Sequence, residues 1–300
     1  MTVRHRDRDT GRVTERAGIR TAGRAGLFAG WHEENERWLF ISPHDDDVVI
    51  GGGLLLAGGR AEGVEAQVCV VTDGRMGYCR TEQVDSIVAV RAAEMRTAMA
   101  RLGGASITRL EYPDCDLERH TGRRAVGGDD RGGRTADGGA PRARAAAGHE
   151  TPDIRAGHTG LQNSFTALLR ETRPTRVVLP TDADYHPDHK IVHRELLISL
   201  FHATGSVWPE LGKPLTAVPY LYELAIYSDF PSPPNIQLTA TAQDFAAKLE
   251  AIAAFASQEQ ITAVVEGVRT GGPVEYVREL PFTFYDPARY ARLFERGGTA

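Results

Sequence analysis

The stretch Ser42-Pro43-His44-Asp45-Asp46-Asp47 sets three consecutive carboxylates beside a histidine. Carboxylates this close repel one another and are costly to hold together without a cation. A divalent metal supplies that charge, since imidazole nitrogen and carboxylate oxygen both suit zinc. His44 and Asp47 are three residues apart, so one turn can aim both at a single point, leaving Asp46 free for another role. The rival reading is an acidic cap on a following helix, for which one aspartate would suffice. A second cluster, His186-Pro187-Asp188-His189, lies far downstream. There His189 completes a set of two histidines and one carboxylate and leaves a coordination position open for water, as catalytic zinc requires. The plainer alternative is an exposed helix start with polar caps.

Both clusters follow apolar runs that read as strands. Arg37 to Ser42 is a short buried strand ended by Pro43, and Thr175 to Leu179 precedes the second cluster. Further strands are expected at Ala66 to Thr72, Ile107 to Tyr112, Pro219 to Tyr227 and near Phe282 to Tyr285. Helical spacing covers Val48 to Ala57, Glu82 to Leu102 (stopped by Gly103-Gly104), Gly160 to Glu171, His189 to His202 and Ala242 to Ser257. Strand and helix alternate, which predicts an α/β fold: a Rossmann-like, mostly parallel sheet with helices on both faces, a three-layer sandwich. Ligands in such folds sit beyond the carboxyl ends of the strands, where both clusters fall. Residues 1–35 are polar, Arg- and Gly-rich and without period, and are expected to be a flexible arm. Residues 36–300 are then one α/β domain, interrupted at 118–158 by a Gly-, Arg- and Ala-rich insertion that reads as a mobile loop.

Taken together, the two clusters resemble the LmbE/PIG-L family of zinc-dependent de-N-acetylases, whose members carry P-H-P-D-D-E after the first strand and H-P-D-H later. The matching stretches are Pro43-His44-Asp45-Asp46-Asp47-Val48 and His186-Pro187-Asp188-His189. Weaker likenesses are Gly51 to Gly53, Thr72-Asp73-Gly74, Arg91-x-x-Glu94, Arg173-Pro174, and Lys248 with Ser257-Gln258. The resemblance runs from about residue 37 to 260. Asp45 and Val48 replace the motif's proline and glutamate, so the metal site is expected to persist while its local packing differs.

The resemblance implies that His44, Asp47 and His189 bind Zn2+, or another divalent ion such as Fe2+, and that Asp46 is the general base. On that reading the metal brings the pKa of its bound water toward neutrality, Asp46 takes the proton, and the hydroxide attacks an acetyl carbonyl. A protonated His186, oriented by Asp188 and kept at high pKa by it, would help stabilise the oxyanion. Asp46 then returns its proton to the departing amine. The expected substrate is an N-acetylated amino sugar or a glycosylated small molecule. Rival readings are an amidase of a thiol-sugar conjugate, a non-catalytic metal- or sugar-binding protein, and a nucleotide-binding α/β protein tempted by Gly51-Gly52-Gly53. The last lacks the G-x-G-x-x-G spacing and follows an acidic cluster that would repel phosphate.

Other residues are candidates for substrate contact. Arg75 could reach a hydroxyl or phosphate, Tyr185 could assist at the oxyanion, and Asp116 could line the pocket. His193, four residues past His189, is read as facing solvent or a neighbouring helix rather than completing a zinc pair. The formal charge of -5 over 300 residues gives no general reason to bind nucleic acid or anionic membranes. Three cysteines, none in a C-x-x-C pair, build neither a disulfide framework nor a thiolate zinc site. With no apolar stretch of membrane-spanning length and no signal core, the cytoplasm is the expected location. Substrate identity and oligomeric state are not encoded in any motif.

Overall fold

The computed structural model describes residues 1–17, 36–126 and 153–294. Its strands are β1 (Thr2–Arg6), β2 (Val13–Ala17), β3 (Arg37–Ser42), β4 (Glu65–Thr72), β5 (Ser106–Tyr112), β6 (Arg124–Ala125), β7 (His158–Thr159), β8 (Arg176–Pro180), β9 (Tyr220–Leu224), β10 (Ile236–Thr239) and β11 (Val274–Leu280). Its helices are α1 (Asp47–Ala61), α2 (Ile87–Arg101), α3 (Leu161–Thr172), α4 (Pro187–Thr204), α5 (Ala242–Ala253), α6 (Ile261–Gly271) and α7 (Ala288–Phe294).

One sheet of nine strands runs in the order β2-β1-β10-β11-β9-β8-β3-β4-β5. The strands from β5 to β9 are parallel, and the others are added antiparallel beyond β9. β3 shows why a parallel centre forms: its apolar run is buried on both faces, with side chains alternating between layers. Trp38 and Phe40 join the core beneath α1, α2, α5 and α6, whereas Leu39 and Ile41 join the core beneath α3 and α4. The mostly parallel α/β sandwich read from the sequence is therefore the architecture observed. Because β3 and β8 are adjacent and parallel, their carboxyl ends open on the same edge, carrying the two clusters side by side.

The Gly51–Gly53 run serves packing. A Cβ at Gly52 would lie 2.8 Å from the Leu224 Cδ1 atom, and one at Gly51 would lie 3.1 Å from the Ala225 carbonyl oxygen. The missing side chains let α1 lie directly on the end of β9, which leaves no role for them as a phosphate loop.

Some expectations need correction. Residues 2–17 are not an unpaired arm: β1 pairs with β10 (Val3 opposite Leu238) and with β2. Asp7 Oδ1 closes the hairpin by accepting from the Thr10 amide at 2.7 Å. Each strand offers little inward apolar surface (Val3 is the buried side chain of β1), so no period stands out. The last part of the expected arm lies outside the described residues. In the 118–158 insertion, the ends are ordered: Leu117–His120 forms a 3₁₀ turn, and β6 pairs with β7. Residues 127–152 lie outside the described residues. The C-terminal strand is Val274–Leu280, ended by Pro281, and not Phe282 to Tyr285. Its inward face includes the buried Glu275, which hid the alternation.

Candidate active site

The loop after β3 and the start of α1 hold the first cluster. Ser42 Oγ accepts from the Val48 amide at 3.2 Å, and Thr72 Oγ1 on β4 donates to the Pro43 carbonyl at 2.9 Å, so the turn is tied at both ends. His44, Asp45, Asp46 and Asp47 are all buried, as are Asp188 and His189.

His44 Nδ1 and His189 Nε2 each lie 3.1 Å from Asp47 Oδ2, and 3.3 Å from each other. Three donor atoms ~2.0–2.2 Å from one tetrahedral cation would be separated by roughly 3.3–3.5 Å. The triangle thus fits a zinc-sized ion with little movement. The far nitrogen of each imidazole faces a carboxylate: His44 Nε2 is 3.1 Å from Asp114 Oδ1, and His189 Nδ1 is 3.2 Å from Asp184 Oδ2. This carboxylate–histidine arrangement fixes ring orientation and tautomer in metal sites. Asp47 Oδ1 is buried without a hydrogen-bond partner among the described residues.

The protonation preferences fit a site built for a cation. Burial pulls the Asp47 carboxyl upward, yet the imidazoles of His189 and His44 outweigh it and hold it well below the usual carboxylate range. Burial pulls His44 down, and Asp47, Asp114 and Asp188 reverse this and raise it well above the usual imidazole value. His189, likewise pulled down by burial, is raised to about 9 by Asp47 and Asp184. Without a metal, imidazolium protons supply the positive charge that the carboxylates demand.

Asp46 stands outside the triangle. Its Oδ1 accepts from Arg91 Nη2 at 2.8 Å. Burial raises its pKa; Arg91 pulls it down, Asp47 pushes it up, and the net direction is upward. Asp45, in place of the motif's proline, is fully buried between Arg91 (3.4 Å) and Arg109. Its charge is therefore answered by two guanidinium groups, and Val48 simply joins the core. The weaker likenesses join up as well. Arg91 serves Asp46, and Glu94 one turn later accepts from Ser257 through both its amide and its Oγ at 2.7 Å. Gln258 in turn donates to the Gly77 carbonyl at 2.7 Å, anchoring the loop after β4.

The second cluster departs from expectation in one respect. Asp188 meets His186 through its backbone: the Asp188 amide donates to His186 Nδ1 at 3.2 Å, making His186 the cap of α4. The Asp188 carboxylate turns instead to the Cys115 amide (2.9 Å) and toward His44 Nε2 (3.5 Å). Burial, with His44 and His189 nearby, pushes the His186 pKa down, so the expected high pKa is corrected. A neutral His186 with Nδ1 accepting carries its proton on Nε2, as a donor. Its ring lies edge-on to His44, with centroids 4.5 Å apart.

The three candidate substrate contacts fare differently. Tyr185 is 79% exposed and makes no hydrogen bond through its side chain among the described residues. The tyrosine at the site is Tyr227, whose ring stacks on His189 at 5.3 Å. Burial, with Asp47 and Asp46 close by, pushes its hydroxyl pKa up. Tyr227 sits in the loop after β9, with no motif to mark it. Asp116 pairs with Arg119 at 3.3 Å on the exposed turn, and Asp114 is the residue that reaches His44 from this loop. Arg75 folds back on Asp73, with its amide donating to Asp73 Oδ1 at 3.1 Å. His193 is buried rather than solvent-facing, its Nδ1 donating to the Pro180 carbonyl at 2.9 Å. A hollow of about 560 Å³ lined by Arg37, Glu65, Gln67 and Arg173 opens at the amino ends of β3 and β4, opposite the imidazoles, and takes no part in this site.

An α/β sheet that brings two histidines and a carboxylate together at its carboxyl edge defines a class of site that could hold a metal ion. Comparison narrows the class: the family PIG-L, GlcNAc-PI de-N-acetylase, matches residues 39–199, more than half of the chain. The chain belongs to that family. It is 30% identical over 186 residues to a 1D-myo-inositol 2-acetamido-2-deoxy-alpha-D-glucopyranoside deacetylase of Kineococcus radiotolerans, covering 58% of this chain and 47% of the relative. It thus spans about half the length of that curated relative. Among solved structures it is similar to an N,N'-diacetylchitobiose deacetylase from Pyrococcus horikoshii (TM-score 0.61, 22% identity, 87% of this chain and 90% of that one). It is also similar to the 4-carboxy-2-hydroxymuconate hydratase of Pseudomonas putida KT2440 (TM-score 0.60, 18% identity, 84% and 99% covered). At these identities the likeness shows the fold alone, and the fold serves more than one reaction.

Proposed function

We propose that this chain is a metal-dependent amide hydrolase that removes the acetyl group from a small N-acetylglucosaminyl compound. The observation that carries this reading is the triangle of His44, Asp47 and His189 donor atoms, with Asp46 beside it and outside it. A pure binding site has no need of a further buried carboxylate that stands beside its cation without being one of its ligands. The family membership and the amino-sugar deacetylase relative support the acetyl group as the leaving acyl.

His44, Asp47 and His189 would hold the ion, zinc being best suited to two imidazoles and a carboxylate. When bound, the ion supplies Lewis-acid charge and a water of lowered pKa. The chain's own residues do the rest. Asp46, with one oxygen held by Arg91, presents its other oxygen to accept a proton and later return it to the departing amine. His186 Nε2–H donates toward the developing oxyanion, its direction set by the helix cap at Nδ1. Tyr227, stacked on His189, walls the same space.

The test joins metal analysis to acetate release from a panel of N-acetylglucosaminyl and thiol-sugar compounds. Asp46→Asn keeps the metal and lowers kcat by roughly 10²–10⁴-fold, the usual worth of a positioned acid–base group. Full activity in that variant, or a purified protein that binds no divalent ion, would overturn the reading.

A further inference from the structure

Cys115 takes no part in the reaction proposed above, yet it sits at its threshold. It follows Asp114 immediately after the end of β5, is exposed, and holds a left-handed backbone (φ 62°) that a side-chain-bearing residue rarely adopts. That conformation is fixed by the Cys115 amide donating to the buried Asp188 carboxylate at 2.9 Å. Strained non-glycine positions that the surroundings over-determine gather at functional sites.

Around the thiol stand two other donors. One ligand atom each from Asp114, Cys115 and His186 lies within 4.8 Å of the other two. The three chemistries are a carboxylate, a thiol and an imidazole, a set suited to zinc. His186 Nε2 has no hydrogen-bond partner among the described residues, since the cap of α4 uses Nδ1. Asp114 retains lone pairs beyond its contacts with His44 and the Met76 amide. A competing cluster, Asp182, His193 and Glu223, is weaker ground: Arg278 already pairs with Glu223, and a cation there would meet a guanidinium.

We propose that Asp114, Cys115 and His186 form a second, thiolate-containing zinc site at the mouth of the active site, and that its occupation inhibits the enzyme. The inhibition rests on the catalytic reading above; the binding does not. Coordination releases the Cys115 proton to solvent and forms the sulfur–zinc bond. If His186 binds through Nε2, its ring proton moves to Nδ1 and the cap from the Asp188 amide is given up. Bound in this way the imidazole no longer offers an Nε2–H toward the oxyanion, and Asp114 is drawn from His44. Low zinc thus fills the first site and supports turnover, while excess zinc closes it.

Cobalt(II) titration of the metal-free protein provides the test. A thiolate ligand gives an intense sulfur-to-cobalt charge-transfer band, which a site of two histidines and one aspartate cannot produce. The first equivalent is expected to bind without that band and a second to bring it in. Cys115→Ser should stop at one equivalent with no band, and its activity should tolerate at least ~10-fold more zinc than the unaltered enzyme. Asp47→Asn should lose the band-free equivalent and keep the thiolate band. That outcome also separates the two readings, because the thiolate site would survive in a protein whose first site had failed. Binding of a single band-free equivalent in both the unaltered protein and Cys115→Ser, or a charge-transfer band that persists in Cys115→Ser, overturns the proposal.

Discussion

Replacing Asp45 with proline would restore the residue that the family motif carries at that position, and it should nonetheless harm this protein. Asp45 is fully buried, and its carboxylate answers Arg91, itself 4% exposed, and Arg109. Removing one partner of a buried ion pair costs roughly 3–5 kcal/mol, because the remaining charge is left uncompensated. Here Arg91 keeps Asp46 at 2.8 Å and Arg109 keeps Glu111 at 2.8 Å, which places the loss near the lower end, about 3 kcal/mol. With an unfolding entropy of roughly 0.6 kcal/mol per kelvin for a chain of this length, Tm should fall by about 5 °C. Asp45→Asn, which keeps the shape, should lose less than Asp45→Pro. In the Asp45→Asn background, Arg109→Gln should cost clearly less than it does alone, since the pair it would break is already gone. Thermal unfolding of the four proteins of that cycle is the assay. A drop of less than about 1 °C for Asp45→Pro, or strictly additive effects of Asp45→Asn and Arg109→Gln, would refute the argument.

Three further outcomes are expected. In a Cys115→Ser background, where the proposed second site is removed, His189→Ala takes away a corner of the triangle, and metal content measured after dialysis should fall well below one ion per chain; full occupancy would mean that the ligand set is misassigned. In the metal-free protein, burial raises the Asp114 carboxyl but the His44 imidazole and the Cys115 and Met76 contacts hold it down to about 2. A carboxyl whose folded pKa is depressed lends stability above its unfolded value and loses it as pH falls through the folded one. Roughly 2 kcal/mol should therefore disappear between about pH 4 and pH 2, and urea unfolding across that window should show a shallower pH slope in Asp114→Asn. Gly52→Ala forces a methyl to 2.8 Å from Leu224 and should destabilise by about 1–3 kcal/mol, seen as a lower urea midpoint; an unchanged midpoint would show that α1 can lift off β9 freely.

The parallel centre of the sheet was legible because its strands are apolar on both faces and its helices have clear stops. β3 matches its expected bounds residue for residue. The antiparallel additions were not legible: β1, β2 and β11 pair through the backbone while carrying arginines, histidine and glutamates, so their side chains do not announce a buried face. At the site, the residues within contiguous motifs could be read. Asp114, Arg109 and Tyr227 could not, because each comes to the imidazoles or to Asp45 from its own loop or strand at no fixed spacing. Asp184 also went unread, but it lies only two residues before His186 and was within reach of a reading that asked what each clustered imidazole does with its far nitrogen. The role given to the Asp188 carboxylate failed because sequence order does not tell a side chain from an amide as hydrogen-bonding partner.

Glu275 accepts from the amides of Leu54 and Leu55, at 2.9 and 2.8 Å, and from Lys248 Nζ at 2.7 Å, deep under the helix that begins with Asp47. These amides belong to the middle of α1, so β11 braces the rod on which Asp47 is mounted. Every imidazole and carboxylate of the triangle is encoded before residue 200, but the brace is encoded some seventy residues later. During synthesis this corner of the fold would therefore acquire its clustered imidazoles and carboxylate early and its stiffness late, and a chain cut after α4 would carry the whole donor set on an unsupported helix.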